Sequence, residues 1–557
     1  MNTIKSKIYI ALMLIGVVAF STSCKKFFDI NTNPNSPTGT VEESFLLGKA
    51  IVTWSRVMPN ADMYGGESSG AISNPGGVSG FGSLITYNYG PGDYAAWWDL
   101  YDNITDLNAI IARGEVDESY VNYAGIARVL KAVHFQALVD AYNNVPYTEA
   151  NKGVENLTPE YDNGPDIYKS IASLIDEAFD NFSSASNAAL TPTSSTDPLF
   201  GGDLTKWKQY ANTVKLRIIL RAGDKVTFAN KNFSADGFLS QDAMVQPGFT
   251  NQDGKTNPTW GRVYAASGSA IAGGLQQRVP TFYMRGFYDG TKLTDKFRGS
   301  LIYRTFPTPG TNQLGEPGDE SSTFVKAPND WYHSLAATPS ATNYTSIGIF
   351  KGPSAPQPIM LAAESYFLQA EAAVRGLVSG DAKTLFNNGI LESFRYLNKD
   401  ESGAISTKFV DSTSGKIAAT AASDAYIPIN PQKEFSIYLA ENANSRLVNF
   451  DLATSTEEKI EAIITQKYIA HNMIKGDESW NEYRRTKYPV SATPSIENRH
   501  ISFASTKSGS NQPDFLPTRI QYPAREFSYN SDNVGKQKGS APNGGISVTI
   551  DKIFWAK

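Results

Sequence analysis

The clearest hydrophobic pattern in the chain lies between Pro358 and Gly376. Apolar and small residues recur there at steps of three and four, which places them on one face of a helix; they are Ile359, Ala363, Tyr366, Ala370 and Ala373. Proline suits the first turn of a helix, and glycine after a basic residue suits its end. The pattern predicts a helix over Pro358–Gly376 whose small residues allow a second helix to approach closely.

A second helical pattern follows at once, over Asp381–Asn398, with its stripe at Leu385, Asn388, Leu391 and Phe394. Two helices joined by a short loop form a helical hairpin, which is the unit of helical-repeat scaffolds. The same periodicity predicts further helices at Val41–Met58, Tyr94–Arg113, Asp117–Tyr142, Asp166–Phe182, Asp203–Ala222, Pro431–Ala440 and Thr456–Lys475. The fold is therefore expected to be mainly α, built on a helical-repeat scaffold.

Three stretches lack this periodicity. The glycine-rich stretch Pro59–Gly92 is predicted to be a long loop, and loops of such length are usually functional or disordered. Residues 223–357 are rich in Gly, Pro, Asn, Ser and Thr with interleaved aromatics, which indicates a large irregular insertion on the scaffold. Residues 491–557 have a similar composition and are expected to form ordered loops that wrap the scaffold.

Composition narrows the class of protein. A chain of 557 residues is long enough for two or more packing units. Its 28 Tyr, 29 Phe and 8 Trp exceed what a core needs, and surplus tyrosine often serves a binding surface. The formal net charge is −5 and no basic run stands out, which argues against nucleic acid as a partner.

The beginning of the chain has the pattern of a targeting segment. Lys5 and Lys7 precede an apolar run, Ile8–Phe20, that is too short to span a bilayer. Small residues then lead to Cys24, the sole cysteine, in an arrangement that resembles the lipobox of bacterial lipoproteins, with Ser21 in place of the usual leucine. Cys24 is thus the expected lipidation site and the only expected membrane attachment. An ordinary secretory peptide with an incidental cysteine is the alternative.

Catalytic patterns are weak. Residues 66–70 match G-x-S-x-G, but they lie in a glycine-rich stretch and not between a strand and a helix, so chance explains the match. The four histidines are scattered and include no metal-binding pair. Calcium-loop patterns are also missing from the sequence. We therefore expect no catalytic residue, cofactor or metal, although a pair of carboxylates can meet in space without any local signature.

Binding patterns are stronger. Aromatic rings stack on the C–H faces of sugars, and polar side chains pair with the hydroxyl groups. Two aromatic stretches have this character, and the residues selected as ligand contacts are Tyr64, Tyr87, Tyr89, Asp93 and Trp97 in the first and Tyr283, Arg285, Trp331 and Tyr332 in the second. Trp98 lies on the apolar stripe of its helix and is expected in the core, whereas Trp97 is expected to face another way.

Several charged residues in the C-terminal half are expected to stabilise the fold and not to bind a ligand. Arg484 or Arg485 is expected to pair with Glu478, Glu482 or scaffold carboxylates and to hold the loop. Glu364 and Glu371 lie on one helix face, and we expect them to be structural partners of such arginines.

Five stretches, taken in order, resemble the SusD/RagB family of nutrient-binding outer-membrane lipoproteins. They are the lipobox followed by FFDINTNPNSPT, the helix DLTKWKQYANTVKLRIILR, the hairpin PIMLAAESYFLQAEAAVRG with AKTLFNNGILESF, the pair IITQKYIA and SWNEYRRTKYP, and PTRIQYPAREFSYN. The resemblance spans nearly the full chain. It implies a signal peptide over 1–23, a lipid-anchored tether over 24–40 and a SusD-like domain over 41–557, with scaffold at 41–222 and 358–490, insertion at 223–357 and a wrapping segment at 491–557.

The resemblance also implies a function. Members of the family are tetratricopeptide-type scaffolds with a loop-rich ligand face; they are not enzymes, and they act as lids of SusC-type TonB-dependent transporters that admit oligosaccharides or, in some branches, peptides. It implies an outer-membrane protein that faces the cell exterior and has no nucleic-acid partner. Surface-exposed members carry acidic residues after the lipid-bearing cysteine, whereas Lys25 and Lys26 follow here. A peptide-capturing lid and a surface glycan hydrolase remain as alternatives at this point.

Overall fold

The computed structural model describes residues 42–73, 83–186, 188–269, 271, 279–303, 306, 335–340, 343–344 and 346–557. The expected signal peptide, Cys24 and the tether all lie outside these residues. Within the described part of the chain, ten helices have eleven residues or more. They are α1 (Glu43–Ser68), α2 (Leu100–Val116), α3 (Val121–Tyr142), α4 (Gly164–Ser184), α5 (Leu204–Ala222), α6 (Ala362–Val374), α7 (Ala382–Asn398), α8 (Pro431–Glu441), α9 (Thr456–Ala470) and α10 (Gly476–Thr486).

Helices adjacent in sequence pack in pairs. In the first block α2 packs on α3, α3 on α4 and α4 on α5; in the second, α6 packs on α7 and α7 on α8. The two blocks meet where α6 lies against α5, and α6 also packs against α9. Helix α1 contacts both α2 and α10, so it joins the two blocks a second time. This arrangement confirms the predicted mainly α, helical-repeat scaffold.

Strands are short, at two to six residues each. They are β1 (Ile72–Ser73), β2 (Ala243–Val245), β3 (Val279–Pro280), β4 (Leu335–Ser340), β5 (Asn343–Tyr344), β6 (Gln357–Met360), β7 (Phe409–Asp411), β8 (Ile417–Ala418) and β9 (Tyr426–Pro428). Antiparallel pairing gives the sheets β1–β3, β2–β6, β4–β5 and β8–β7–β9. Four of these strands lie in 223–357 together with the short helices Pro258–Gly261, Phe282–Arg285 and Lys296–Ile302. The described part of this stretch thus has little regular structure.

Aspartate side chains cap the starts of two scaffold helices. The side chain of Asp203 accepts hydrogen bonds from the backbone N–H groups of Thr205 and Lys206 at the start of α5. The side chain of Asp381 accepts one from Thr384 at the start of α7. Such side chains satisfy donors that have no partner within the helix.

The predicted loop Pro59–Gly92 is wrong in its first part, because α1 continues through Pro59 to Ser68. Gly65, within this part, serves close packing of two helices. A Cβ atom on Gly65 would lie 2.0 Å from the backbone carbon of Gly476, so the backbones of α1 and α10 touch at this point. Glycine in this part of the sequence therefore indicates a close crossing of α1 and α10, where a larger side chain does not fit.

Two further boundaries differ from the prediction. Pro358 belongs to β6 and not to a helix, since Gln357–Met360 pairs with Ala243–Val245 before α6 begins at Ala362. The predicted helix Thr456–Lys475 ends at Ala470, and a separate helix, α10, follows over Gly476–Thr486. Thus Arg484 and Arg485 lie on a helix and not in a loop.

A buried network of ion pairs joins α5, α6 and α10. The Nη1 and Nη2 atoms of Arg485 donate hydrogen bonds to the two carboxylate oxygens of Glu371, at 2.7 and 2.6 Å. Arg217 on α5 donates to Glu364 on α6 at 3.0 Å. Burial raises the pKa of the Glu371 carboxyl, but the charge and hydrogen bonds of Arg485 outweigh it and lower that pKa below its usual value. The expectation that Glu364 and Glu371 are structural partners of arginines is confirmed.

Arg221 extends this network toward the first block. Its guanidinium donates to Asp140 of α3 at 2.5 Å and also pairs with Glu478 and Glu482 of α10. Arg484 is used differently, because it donates to the backbone oxygens of Asp140 and Thr518 at 2.8 and 3.1 Å. The pairing expected for Arg485 is confirmed, and Arg484 holds the wrapping segment instead.

The described helices include none long and apolar enough to cross a membrane. Among the same residues, His, Cys, Asp and Glu side chains form no group of three or more suited to a metal ion.

The network generates a stability prediction. Replacement of Arg485 by Leu leaves the carboxylates of Glu371 and Glu482 buried without this partner, which should cost about 3–5 kcal/mol of unfolding free energy. The matched control is Arg525→Leu, since the Arg525–Asp99 pair is largely exposed and should contribute less than about 1 kcal/mol. Urea denaturation of both variants measures the difference, and equal losses would contradict the structural role of the network.

Glu434 generates a prediction about pH. This carboxyl on α8 is buried, accepts from the Asn398 amide at 2.7 Å, and has its pKa raised to about 7 by burial, with Asp295 adding to the effect. The Asn398 Oδ1 atom is buried and has no hydrogen-bond partner among the described residues, so a flipped amide would accept a hydrogen bond from the O–H group of a neutral Glu434.

The folded state therefore holds a proton on Glu434 that the unfolded chain releases near pH 4.5, and stability should fall as pH rises from there to about 7. Glu434→Gln removes this dependence. Its unfolding free energy should match wild type at pH 5 and exceed it by up to about 3 kcal/mol at pH 8, measured by chemical denaturation. Glu497→Gln, on the surface, is the control and should change neither value.

Candidate functional site

The first predicted aromatic stretch is Asp62–Trp98; it begins on α1, continues through β1, and its last part lies in a tightly bonded loop over residues 83–99. Tyr87 is buried, and its hydroxyl accepts a hydrogen bond from the Ser505 N–H at 3.1 Å. The Tyr94 hydroxyl donates to Glu67. Asp93 accepts from the Gly90 N–H at 2.8 Å and closes the turn. These polar groups hold the loop itself.

The second stretch begins where the chain returns beside the first. Strand β3 pairs with β1, so that Val279 lies opposite Ser73 and Pro280 opposite Ile72. Thr281 then caps the short helix Phe282–Arg285 and donates to the Gly70 carbonyl. The stretches selected separately from the sequence are thus neighbours in the fold.

Both stretches meet on the C-terminal segment. The Tyr283 ring lies 5.0 Å from the Phe503 ring, edge to face, while the Tyr87 hydroxyl contacts Ser505 two residues away. Gly70 is needed at this junction, since its φ is +74° and a Cβ atom there would lie 1.9 Å from Phe503 Cβ. We call the surface built from residues 83–99, 279–289, 490–515 and the helix Ala524–Tyr529 the loop face.

Tyr283 is held on both sides. Its hydroxyl donates to the Val490 carbonyl at 2.7 Å, and burial raises its pKa above the usual range. Lys292 places its ammonium 3.1 Å from the centre of the Tyr283 ring and donates to the Tyr283 carbonyl. Burial lowers the pKa of Lys292 well below its usual value, an effect that Asp289 partly offsets. The ring is therefore a packing element of the loop face.

Most of the predicted ligand contacts are buried. The exposed fractions are 0% for Tyr87, 3% for Tyr89, 6% for Trp97, 1% for Tyr283 and 6% for Arg285, and Asp93 is half-buried. The side chain of Tyr64 and the residues Trp331 and Tyr332 lie outside the described part of the chain. Contact of these residues with a ligand stays a prediction, and burial argues against it for Tyr87 and Tyr283.

Trp97 and Trp98 do not differ as expected. Both are 6% exposed, so the expectation that Trp97 points away from the core is wrong. The reason is local: Ala95–Asp99 is a 3₁₀ helix, whose three-residue turn displaces side chains from the positions of an α-helix.

Exposed aromatics of the loop face lie where no ligand contact was predicted. Phe527 is 46% exposed and Tyr529 78% exposed, on the short helix Ala524–Tyr529. That helix is fixed to the first stretch, because the Ala524 N–H donates to the Pro91 carbonyl and Arg525 pairs with Asp99 at 2.7 Å. The sequence feature that could have identified these two residues is a pair of aromatics among polar residues, in a segment too short to form a helix with a buried apolar face.

Comparison with known proteins identifies the fold. A family model described as "Starch-binding associating with outer membrane" matches residues 77–253, and one described as "Susd and RagB outer membrane lipoprotein" matches residues 326–556. None of the curated proteins is similar enough to count as a match.

Solved structures agree with the family models. A SusD homologue from Bacteroides fragilis NCTC 9343 has a TM-score of 0.63 at 18% identity, over 92% of this chain and 100% of that one. A SusD/RagB family protein from Bacteroides thetaiotaomicron VPI-5482 has a TM-score of 0.63 at 17% identity, over 93% and 99%. A chitin-binding SusD homologue from Flavobacterium johnsoniae has a TM-score of 0.59 at 20% identity, over 92% and 97%.

These matches define the class of the molecule, a SusD-type helical scaffold that carries a loop-rich face. The chain belongs to the SusD/RagB family, whose models describe outer-membrane lipoproteins. The resemblance stated from the sequence is confirmed.

The geometry of Tyr283 generates a prediction. Tyr283→Phe removes the hydroxyl and its hydrogen bond to the Val490 carbonyl, so the unfolding free energy should fall by about 1 kcal/mol. Because the ring stays packed, binding of any ligand to the loop face should remain within about twofold of wild type. Thermal denaturation and titration calorimetry on the same samples check both expectations. A loss of affinity with unchanged stability would instead make the hydroxyl a ligand contact.

Proposed function

We propose that this protein is a non-catalytic lipoprotein of the outer membrane that captures an oligosaccharide at the cell exterior. It then delivers the oligosaccharide to a SusC-type TonB-dependent transporter. Membership of the SusD/RagB family supports the proposal, as does the description of one family model as starch-binding. Similarity to a protein named as chitin-binding supports a glycan as the cargo.

The observation that carries the proposal is the pair of exposed aromatics on the loop face. Phe527 and Tyr529 present rings to solvent beside the exposed ion pair of Arg525 and Asp99. Aromatic faces bind the C–H faces of sugar rings, while charged and amide groups beside them bind hydroxyls. Several such weak contacts suit a protein that has to release its cargo.

The residues selected from the sequence have two roles in this proposal. Asp93, Tyr64, Trp331 and Tyr332 are retained as proposed ligand contacts. Buried Tyr87, Tyr89, Trp97, Tyr283 and Arg285 act by fixing the loops on which ligand contacts lie. Cys24 is the proposed site of the lipid.

Titration calorimetry of the soluble chain that starts at Lys25, against a panel of oligosaccharides and tryptic peptides, tests the function. We expect saturable binding of one glycan class, and Tyr529→Ala and Phe527→Ala should each weaken it about fivefold to tenfold. Phe45→Ala is the matched control, since Phe45 is 64% exposed on α1 and outside the loop face, and its affinity should equal wild type.

Chromatography of the sugars after each titration separates capture from catalysis. Unchanged sugars support a binding protein, whereas turnover of any sugar would contradict the non-catalytic proposal. Binding of peptides alone would assign the protein to a peptide-capturing role.

A further inference from the structure

A cleft of about 830 Å³ lies where the ends of four scaffold helices meet. Its walls are the last turns of α5, α6 and α10 and the first turn of α9. Trp555 and Tyr488 also line it. We call it the helix-end cleft. Its volume falls in the range of pockets that bind small ligands, about 300–1,000 Å³.

The lining of the helix-end cleft is basic. Six of the lining residues are Arg or Lys and two are Asp or Glu, namely Asp224 and Glu457, whereas the chain as a whole has a net charge of −5. A concave surface of one sign concentrates ions of the opposite sign. The cleft is thus a local positive site on an acidic protein.

The six cations of the cleft differ in exposure and in bonding partners. Arg485 and Arg221 are buried in its wall and already paired with the carboxylates of the network. Lys225 and Lys231 are exposed at its rim, and the described residues place no carboxylate within ion-pair distance of either ammonium group. Arg375 and Lys557 line the cleft and are exposed as well, but Arg375 pairs with Glu371 at 2.8 Å and the Lys557 ammonium donates to the Thr486 carbonyl oxygen at 3.5 Å. The rim lysines are therefore the charges most available to a ligand.

The cleft also offers apolar contact. Leu377 is 38% exposed at its edge, and Tyr488 is half-buried in its wall. The indole of Trp555 is fixed below them, because its N–H donates to Asp140 at 3.0 Å and Arg221 lies 5.8 Å above its ring. Apolar and aromatic surface beside exposed positive charges suits a ligand with C–H faces and separate anionic groups.

We propose that the helix-end cleft binds an oligosaccharide that carries carboxylates, such as one built from uronic acids. The proposal rests on the proposed function in taking a glycan as the ligand, and it adds the charge class and a second site. The two sites are close along the chain: Tyr488 lines the cleft, and the Val490 carbonyl accepts from Tyr283 at the loop face.

The probe is the tetramer of α-1,4-linked galacturonic acid, and its methyl ester is the matched neutral ligand. Titration of the chain that starts at Lys25 should show binding of the acid and weaker binding of the ester. The double variant Lys225→Glu with Lys231→Glu should weaken binding of the acid about tenfold or more and leave the ester unchanged. Binding of the acid to wild type should also weaken with added salt, which screens exposed charges.

The control is the double variant Lys416→Glu with Lys433→Glu, which changes the net charge by the same amount at exposed lysines outside the cleft. It should bind the acid as wild type does. Equal weakening by both double variants would overturn the site, since the effect would then come from the overall charge. Unchanged affinity of the Lys225 and Lys231 variant would overturn it as well.

Two results separate this inference from the proposed function. If wild type fails to bind the acid but binds another glycan of the panel, the helix-end cleft is overturned and oligosaccharide capture stands. In the second result, wild type binds the acid and the Lys225 and Lys231 variant does not, whereas Tyr529→Ala and Phe527→Ala change no glycan affinity. This result would support the helix-end cleft and would show that the loop face is not the capture site.

Discussion

The structure depends on charged groups that are buried together between α5, α6 and α10. A carboxylate or guanidinium removed from water is tolerated only with a partner, so each of these side chains fixes the position of another. Arg217 and Arg221 come from the first block of helices, Glu364 and Glu371 from the second, and Arg485 from the last helix. Apolar side chains would hold the same helices together but would specify their relative position less strictly.

Much of the scaffold could be predicted because helical periodicity survives in the sequence. The stripes of α3, α4, α5 and α7 follow steps of three and four, and Asp203 and Asp381 mark two of the helix starts. Helix α10 was not predicted, because nearly all its buried residues are polar or charged and a hydrophobic pattern does not detect them. The end of α1 was missed for a related reason, since close backbone packing selects glycine just as a loop does.

The candidate site was predicted less well than the scaffold. The two aromatic stretches do meet on one face, but the pairing of β1 with β3 that brings them together depends on contacts more than two hundred residues apart. Composition indicates that aromatics are numerous, yet it does not distinguish a ring that packs, such as Tyr283, from one that faces solvent, such as Tyr529. The difference is decided by neighbours such as Lys292 and Phe503, which belong to other parts of the chain.

The contact of α1 with α10 has a mechanical consequence. Helix α1, the first helix of the described residues, touches α10 backbone to backbone at Gly65 and Gly476, and α10 carries Glu478, Glu482 and Arg485. A pulling force applied to α1 would therefore be transmitted directly to α10 and to the buried network of ion pairs. Load of this kind would be shared by many ion pairs at once, so the first helix would not peel away alone while the rest of the fold stayed intact.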